Sequence, residues 1–317
     1  MIIEDLCAVY FIPSKEYLLR VVSNNVDNFL PVKLFKDTEK ERLVFVPKKI
    51  TKLCQKYILD SYLYKIPCSS SVVSYKKGYS ILNNAEHHKG NRYFLHLDIK
   101  HYFNRMCWDI FCRTIMKNFP NSDFAKLLVN PKDEKFLRNV LCFKGFIVQG
   151  SITSPYISNL YLFELDNFIN EEILKALPRG KYTRYSDDLY ISSSSYIPHE
   201  VISKIGDKLA EFRLKFNYKK IDYKKLKDSV RITGITLTKN KRLVVNTIFK
   251  KELKKDIYKC IKFKGKSTNF KKLYGKLNFL KYADKPYYEV LQSKYSLEGI
   301  SMFNRIKAIE KQISENK

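Results

Sequence analysis

Two adjacent aspartates, Asp187 and Asp188, occur in the stretch KYTRYSDDLYIS, residues 181–192, of a chain that is otherwise strongly basic. Neighbouring carboxylates repel each other, and a bound divalent cation relieves that repulsion. Asp98 ends the alternating stretch RYFLHLDI, residues 92–99, where a predicted strand gives way to a turn. Three carboxylates on neighbouring strands predict a two-metal site that aligns an attacking hydroxyl with a phosphate. A solvated turn is the alternative, because aspartate is a common turn residue.

Predicted strands and helices surround these carboxylates and must position them. Aromatic and β-branched residues on both sides of Asp187 predict two strands joined by a tight turn. Residues 41–47 form a predicted strand, and residues 49–66 have the spacing of a helix with one buried face. Helical spacing also covers residues 154–177, with Ser154 as its predicted cap.

A second predicted hairpin covers residues 230–246 and turns at Lys239 and Asn240. Lysine-rich segments with helical spacing follow it. Strands that pair as hairpins, together with helices of one apolar face, predict an α+β fold in which helices pack on an antiparallel sheet.

The charge of the chain indicates a polyanionic partner. Its 59 Lys and Arg outnumber 32 Asp and Glu, for a formal net charge of +27, and a hydrophobic content of 45% indicates a folded chain. Residues 247–317 alone contain 18 Lys and Arg against 7 Asp and Glu, with aromatic residues interleaved among the lysines. That mixture suits contacts to phosphates beside stacked bases, as in RNA binding.

The cysteines and the amino-terminal stretch predict the compartment. The seven cysteines contain no Cys-x-x-Cys pair and are odd in number, so neither a disulfide framework nor a zinc site is predicted. The stretch MIIEDLCAVY has acids where a signal peptide has positive charge, and no apolar run is long enough for a membrane span. We therefore expect a protein of the reducing cytoplasm without a membrane partner.

Four segments, in this order, resemble the motifs of a reverse transcriptase. They are FLHLDIKHYFN around Asp98, VQGSITSPYISN from Val148, YSDDLYIS around the aspartate pair, and ITGITL from Ile232. The resemblance implies a right-hand polymerase and an RNA-directed DNA polymerase activity. It also implies interleaved fingers and palm over residues 1–246 and a small, basic, helical thumb over residues 247–317.

Two further segments resemble the bacterial retron branch of that family. NNAEHH contains Asn84-Ala85-x-x-His88 ahead of the first catalytic motif, and RITG stands where retron enzymes have Val-Thr-Gly. Three positions depart from the usual pattern without removing a charged or catalytic group: Val148, Ser186 and Ile232. The alternatives are another bacterial reverse transcriptase, group II intron-like or defence-associated, and a non-catalytic RNA-binding protein.

The resemblance implies a role for each motif residue. Asp98 and Asp187 are expected to hold two Mg²⁺ ions, with the Ile99 carbonyl as a further ligand and Asp188 as a more peripheral carboxylate. The expected nucleotide-binding residues are Arg42, Phe103, Gln149, Gly150 and Lys220. Lys219 is the alternative to Lys220 beside the leaving pyrophosphate, and Tyr102 is the alternative to Phe103 under the sugar.

The retron resemblance also implies partners. The enzyme is expected to copy part of its own structured non-coding RNA into single-stranded multicopy DNA, using dNTPs, and to join an effector protein in antiphage defence. Host RNase H is expected to act in trans. The expected RNA-binding residues are Asn84, His88, Lys262, Lys264, Lys266, Lys271 and Lys272.

Overall fold

The computed structural model describes residues 2–35, 41–227 and 229–315, without the side chains of residues 35, 41 and 42. Its strands are β1 (Phe29–Phe35), β2 (Glu41–Pro47), β3 (Tyr93–Asp98), β4 (Cys142–Phe143), β5 (Phe146–Ile147), β6 (Lys181–Tyr185), β7 (Asp188–Ser193), β8 (Asp222–Lys225), β9 (Ser229–Ile232), β10 (Ile235–Thr238) and β11 (Leu243–Val245). Its helices are α1 (Ile2–Tyr10), α2 (Lys15–Val21), α3 (Lys49–Ser61), α4 (Ile81–His87), α5 (Tyr102–Arg105), α6 (Trp108–Asn118), α7 (Asp123–Val129), α8 (Pro131–Leu141), α9 (Ser154–Tyr161), α10 (Phe163–Phe168), α11 (Glu200–Ala210), α12 (Thr247–Lys262), α13 (Phe270–Ala283), α14 (Lys285–Tyr295) and α15 (Met302–Glu315). The predicted α+β class is confirmed.

The described residues divide into two compact units, one within residues 1–79 and 91–223 and the other within residues 80–90 and 224–317. In the first unit β6, β7 and β3 are neighbours in that order in one sheet, and β7 pairs antiparallel with both β6 and β3. It also contains the antiparallel hairpin of β1 and β2 and the short β4–β5 ribbon. The helix predicted over residues 49–66 ends earlier, at Ser61.

The alternation of residues along β3 places its leucines on one face of the sheet and Asp98 on the other. Leu95 pairs with Ile191, Leu97 pairs with Leu189, and all four side chains are buried. Side chains alternate across a strand, so Asp98 lies on the opposite face from these leucines. The apolar half of the β3 pattern therefore anchors the strand while its last residue faces away from that core.

The long helix predicted over residues 154–177 is interrupted. α9 and α10 are followed by a π segment, Ile169–Ile173, and a 3₁₀ turn, Leu174–Ala176. The apolar spacing continues across the breaks because each piece still buries one side against the core: Leu160, Leu165, Ile169 and Ile173 are all buried. The prediction for Ser154 is wrong in one respect, since Thr153 is the residue at the cap position and Ser154 is the first residue of the helix.

The second unit contains a three-stranded antiparallel sheet in the order β11-β10-β9, together with α4 and α12–α15. The single hairpin predicted over residues 230–246 is therefore incomplete. A first turn at Thr233 and Gly234, with φ of 44° and 90°, precedes the predicted turn near Asn240. The predicted thumb boundary at residue 246 lies within this unit, where β11 gives way to α12, and the division into fingers, palm and thumb stays a prediction.

Within the described ranges, no helix combines the length and the apolar character needed to cross a membrane.

Candidate active site

The pairing of β3 with β7 brings the predicted carboxylates together. Asp98 and Asp188 are direct cross-strand partners, and Asp187 occupies the two-residue turn between β6 and β7. The Ile99 backbone N–H donates to the Asp187 carbonyl oxygen at 2.9 Å, which ties this turn to the end of β3. Ser186, the other turn residue, has a φ of 59°, the left-handed conformation that a tight hairpin turn requires. The β6–β7 turn is local, whereas the long-range pairing of β3 with β7 adds Asp98 to the two adjacent acids.

The electrostatics of the three carboxylates differ. Burial raises the pKa of the Asp187 carboxyl, and the nearby charges of Asp188 and Asp98 raise it further. The Lys220 ammonium lies 2.7 Å from Asp98 Oδ2, and that hydrogen bond raises the pKa of the lysine. His96 Nε2 lies 2.6 Å from Asp188 Oδ1. Two of the three acids therefore have a nitrogen partner, whereas Asp187 is crowded by like charge.

A cavity of about 800 Å³ opens over these residues in the first unit. Of the predicted site residues, the following line it: Asp98, Ile99, Phe103, Gln149, Asp187 and Lys220. Asp188 is not in the lining, and its peripheral role stays a prediction. The lining contains Lys220 and not Lys219, and Lys220 is also the lysine that contacts Asp98.

Several residues line the same cavity without having been assigned a role from the sequence: Leu43, Tyr75, Lys100, His101, Asn104, Ser186 and Asn217. Those close to Asp98 or Asp187 in the chain could have been found from their motifs. Tyr75 and Asn217 come from separate segments and carry no local signal. The Asn217 backbone N–H donates to the Asp98 carbonyl oxygen at 2.8 Å, so its segment lies against the end of β3.

The Gln149–Gly150 loop lies against β2. The Phe45 N–H donates to the Gln149 carbonyl oxygen at 2.8 Å. Gly150 has a φ of 111°, and a Cβ added there would lie 2.8 Å from the Phe45 carbonyl oxygen. Gly150 is expected to bind the nucleotide, and the close backbone approach that the structure contains is to β2. Arg42 lies in β2 opposite Leu34, and its side chain is outside the described part of the chain.

The two candidate rings for the sugar position have different surroundings. Tyr102 is buried, and its hydroxyl donates to the Ser158 carbonyl oxygen at 3.2 Å. Phe103 is half-buried and lies edge-on to Tyr102, with ring centroids 5.1 Å apart. Because Tyr102 is held by the core, Phe103 is the ring with more of its surface toward the cavity.

A buried ion pair supports β6 beneath the site. Arg184 and Asp166 are both fully buried and are joined by two hydrogen bonds of 2.8 and 2.7 Å. The same guanidinium donates to the Tyr102 hydroxyl at 3.0 Å and to the Asn159 carbonyl oxygen at 3.0 Å. This network connects the strand that leads into the Asp187 turn with α5, α9 and α10.

In the second unit, the two retron-like segments meet. Asn84 Nδ2 donates to Thr233 Oγ1 at 3.2 Å, and both Asn84 and His88 are fully buried. The two residues were predicted to bind RNA, and their burial means that any effect on RNA is exerted through the shape of this unit. Their role in RNA binding stays a prediction.

The lysines predicted to bind RNA are exposed in the second unit: Lys262, Lys264, Lys266, Lys271 and Lys272. Two of them, Lys266 and Lys272, also line a cavity of about 480 Å³ together with Lys259 and Lys276. These side chains are therefore accessible to a polyanion.

The chain is similar to bacterial proteins over most of its length. It is 25% identical over 302 residues to the Retron Ec83 reverse transcriptase of Escherichia coli, covering 92% of this chain and 94% of that protein. It is 29% identical over 244 residues to the Retron Ec86 reverse transcriptase of the same species, covering 75% and 71%. Among solved structures, telomerase from Candida albicans, in complex with a TWJ fragment of telomeric RNA, is 13% identical with a TM-score of 0.47, over 77% of this chain and 54% of that one.

A family model described as "Reverse transcriptase (RNA-dependent DNA polymerase)" matches residues 34–237, which is more than half of the chain. That range includes the three carboxylates, the Gln149–Gly150 loop and Lys220. The chain therefore belongs to the reverse transcriptase family as an RNA-directed DNA polymerase, and bacterial retron reverse transcriptases are its relatives.

Proposed function

We propose that this enzyme copies part of its own structured non-coding RNA into single-stranded multicopy DNA by two-metal nucleotidyl transfer. The observation that carries the proposal is the meeting of Asp98, Asp187 and Asp188 where β3 and β7 pair, beside a cavity large enough for a nucleotide. The similarity to retron reverse transcriptases over 92% of the chain supports the choice of template.

Reverse transcriptases generally use divalent metal ions. The donor chemistry here fits Mg²⁺, which prefers carboxylate and carbonyl oxygens. Within the described ranges, no three His, Cys, Asp or Glu side chains are grouped closely enough to form a ready-made metal site. The fit rests instead on the position of Asp187, whose partly buried carboxylate lies in the turn next to Asp188 and the end of β3, so that a cation would offset the charges of neighbouring acids.

In this proposal Asp98 and Asp187 hold two Mg²⁺ ions, with the Ile99 carbonyl as a further ligand and Asp188 at the periphery. Bound there, the ions would supply the positive charge that aligns the primer hydroxyl with the dNTP α-phosphate and stabilises the leaving oxygens. The negative charge of Asp98 holds the Lys220 ammonium beside the metal ligands, where it can meet the departing pyrophosphate.

The remaining side chains orient the nucleotide. We assign Arg42 to the triphosphate, because a planar guanidinium meets phosphate oxygens with paired hydrogen bonds. Phe103 excludes a ribose 2′-hydroxyl from the sugar position, and its partly exposed ring supports that role. Gln149 and Gly150 flank the base and sugar from the loop that β2 holds.

The proposal also assigns RNA binding to the second unit and names the partners of the enzyme. The exposed lysines of residues 262–272 neutralise phosphates of the cognate RNA. By analogy with retron systems, the enzyme acts in the cytoplasm, joins an effector protein in antiphage defence, and leaves removal of the copied RNA to host RNase H.

The metal ligands are tested by removing charge while keeping side-chain shape. D98N and D187N are each expected to reduce dNTP incorporation on an annealed primer–template by about 10³-fold or more, because the electrostatic stabilisation of the transition state is lost. Fold and RNA binding should be retained, as measured by circular dichroism and filter binding.

The matched control is D60N, which removes an exposed carboxylate whose partner is Lys56. It should incorporate dNTPs at the wild-type rate. Incorporation at ordinary Mg²⁺ concentrations by a correctly folded D187N protein would overturn the site, and with it the catalytic part of the proposal.

A further inference from the structure

Tyr75 combines an unusual backbone conformation with a position in the active-site cavity. Its φ is 54°, in the left-handed region, which glycine tolerates but a bulky residue such as tyrosine does not favour. Its side chain is 46% exposed and lines the cavity above Asp187. Backbone outliers of this kind persist only where the surrounding structure holds them, and they occur preferentially at functional sites.

The surrounding structure does hold this segment. Val72 forms a parallel bridge with Arg184, the Val73 N–H donates to the Arg184 carbonyl oxygen at 3.0 Å, and the Arg184 N–H donates to the Ser71 carbonyl oxygen at 2.8 Å. The segment before Tyr75 therefore lies along the outer edge of β6 as an additional extended strand.

Ser74 attaches that segment to the turn between the catalytic strands. Its side chain is buried, and its Oγ accepts a hydrogen bond of 2.8 Å from the Ser186 backbone N–H. Asn159 Nδ2 donates to the Ser74 carbonyl oxygen at 3.0 Å. Ser74 thus satisfies a backbone donor of the turn that contains Asp187.

The left-handed conformation changes the direction of the chain at Tyr75. Val72, Val73 and Ser74 are all buried, whereas Tyr75 is half-exposed, with its hydroxyl donating to Ser186 Oγ at 3.2 Å. The ring is therefore tethered at one edge to the catalytic turn, and much of its surface remains open to the cavity.

We infer that Tyr75 contacts a nucleobase of the base pair that forms in the active site, and that Ser74 is a positioning residue for the Asp187 turn. A tethered aromatic ring on a cavity wall suits stacking on a base, because every base has a π-face. The inference rests on the proposed active site, since it takes the Asp187 cavity to be where the nucleotide binds.

The test is single-nucleotide incorporation on an annealed primer–template by Tyr75 variants. Tyr75→Ala removes the ring, and Tyr75→Asn removes it with a residue that tolerates the left-handed backbone. Both should raise the KM for dNTP by about tenfold, the loss expected for one base–aromatic stack. Both should change kcat by no more than about threefold, because the metal ligands are untouched. Tyr75→Phe keeps the ring and should retain nearly the wild-type KM.

Tyr64→Ala provides a matched control, because Tyr64 is 54% exposed in the same unit and does not line the cavity. It should leave KM unchanged. Equal KM values for Tyr75→Asn and wild type, or a loss of kcat at constant KM in all three Tyr75 variants, would overturn the contact with the base.

Activity of the D187N variant tests the proposed metal site independently of the contact between Tyr75 and the base. An inactive D187N protein beside a Tyr75→Asn protein of wild-type KM would overturn the inference alone. An active D187N protein would overturn the site and this inference together.

Discussion

At the scale of single residues, the buried pair of Arg184 and Asp166 is the most constrained interaction near the site. Both side chains are fully buried, and each charge is compensated by the other through two hydrogen bonds. Tyr182 adds a hydrogen bond of 2.7 Å from its hydroxyl to Asp166 Oδ1. Arg184 lies two residues before Ser186, so the network determines where the catalytic turn begins.

Asp166→Asn should therefore destabilise the protein strongly. The substitution leaves the Arg184 guanidinium buried without its counter-charge, which typically lowers the free energy of unfolding by about 3–5 kcal/mol. Urea unfolding followed by circular dichroism measures the change. D60N, at an exposed ion pair, should leave stability nearly unchanged. A similar unfolding midpoint for the two variants would show that the buried pair does not support β6 in this way.

At the scale of elements, β2 and the Gln149–Gly150 loop form one assembly. The Phe45 N–H and the Gln149 carbonyl join their backbones, and the Phe45 ring stacks on Phe143 with centroids 4.3 Å apart. Leu43, two residues before Phe45, lines the cavity together with Gln149. The strand and the loop therefore present side chains to the cavity from a common support.

Gly150→Ala tests that assembly. A Cβ there would meet the Phe45 carbonyl oxygen at 2.8 Å, so the loop must move away from β2. We expect a loss of about 1–3 kcal/mol in stability from backbone strain. We also expect the KM for dNTP to rise by about tenfold, because Gln149 is displaced.

Gly78→Ala is the control that separates backbone strain from the steric contact between position 150 and Phe45. Gly78 also has a positive φ, of 84°, but an added Cβ would have no neighbour within 4 Å. The Gly78→Ala variant should lose stability through backbone strain but keep the wild-type KM for dNTP. Identical KM values for the two alanine variants would contradict the coupling between the loop and β2.

At the scale of the whole molecule, charge is the dominant property. The net charge of +27 includes an excess of 11 positive charges within residues 247–317. Neutralising phosphates releases counterions from a nucleic acid, so affinity falls steeply as salt is added. If about six phosphates are contacted, affinity should fall by roughly 10³-fold or more between 50 and 200 mM salt.

Replacing the five exposed lysines of residues 262–272 with glutamine should weaken binding of the cognate stem-loop RNA and reduce the salt dependence. Self-primed synthesis on that RNA should fail, while extension of an annealed primer on a simple template should decline less, because the metal ligands are unchanged. Filter binding at two salt concentrations and the two synthesis assays measure these effects.

The control replaces five exposed lysines of the first unit, which keeps the change in net charge the same: Lys126, Lys132, Lys135, Lys175 and Lys204. Equal losses of RNA affinity in the two variants would show that only overall charge matters. Equal affinity of the wild-type enzyme for its own RNA and for an unrelated RNA of the same length would contradict the retron proposal, with the polymerase activity unaffected.

The sequence by itself identified Asp98, Asp187 and Asp188 as candidate metal ligands, because strand and turn patterns position them and four motifs in order resemble those of a reverse transcriptase. Alternation over residues 92–99 and 181–192 predicts the strands, and the strand-turn-strand pattern puts Asp187 and Asp188 at a hairpin tip. Asp98 ends the neighbouring strand. Since side-chain period and turn chemistry act over a few residues, one chain contains enough information to identify these three acids.

Only the tertiary structure decided which distant segments meet at the site. Gly150 lies against Phe45, and Tyr75 reaches the cavity along β6. Within the second unit, the buried Asn84 donates a hydrogen bond to Thr233. The tertiary structure also shows that Lys220, rather than its neighbour, lies beside Asp98. These contacts join residues more than 100 positions apart in the chain. Local periodicity carries no signal for such pairs, because their partners are set by packing and by the close approach of backbones.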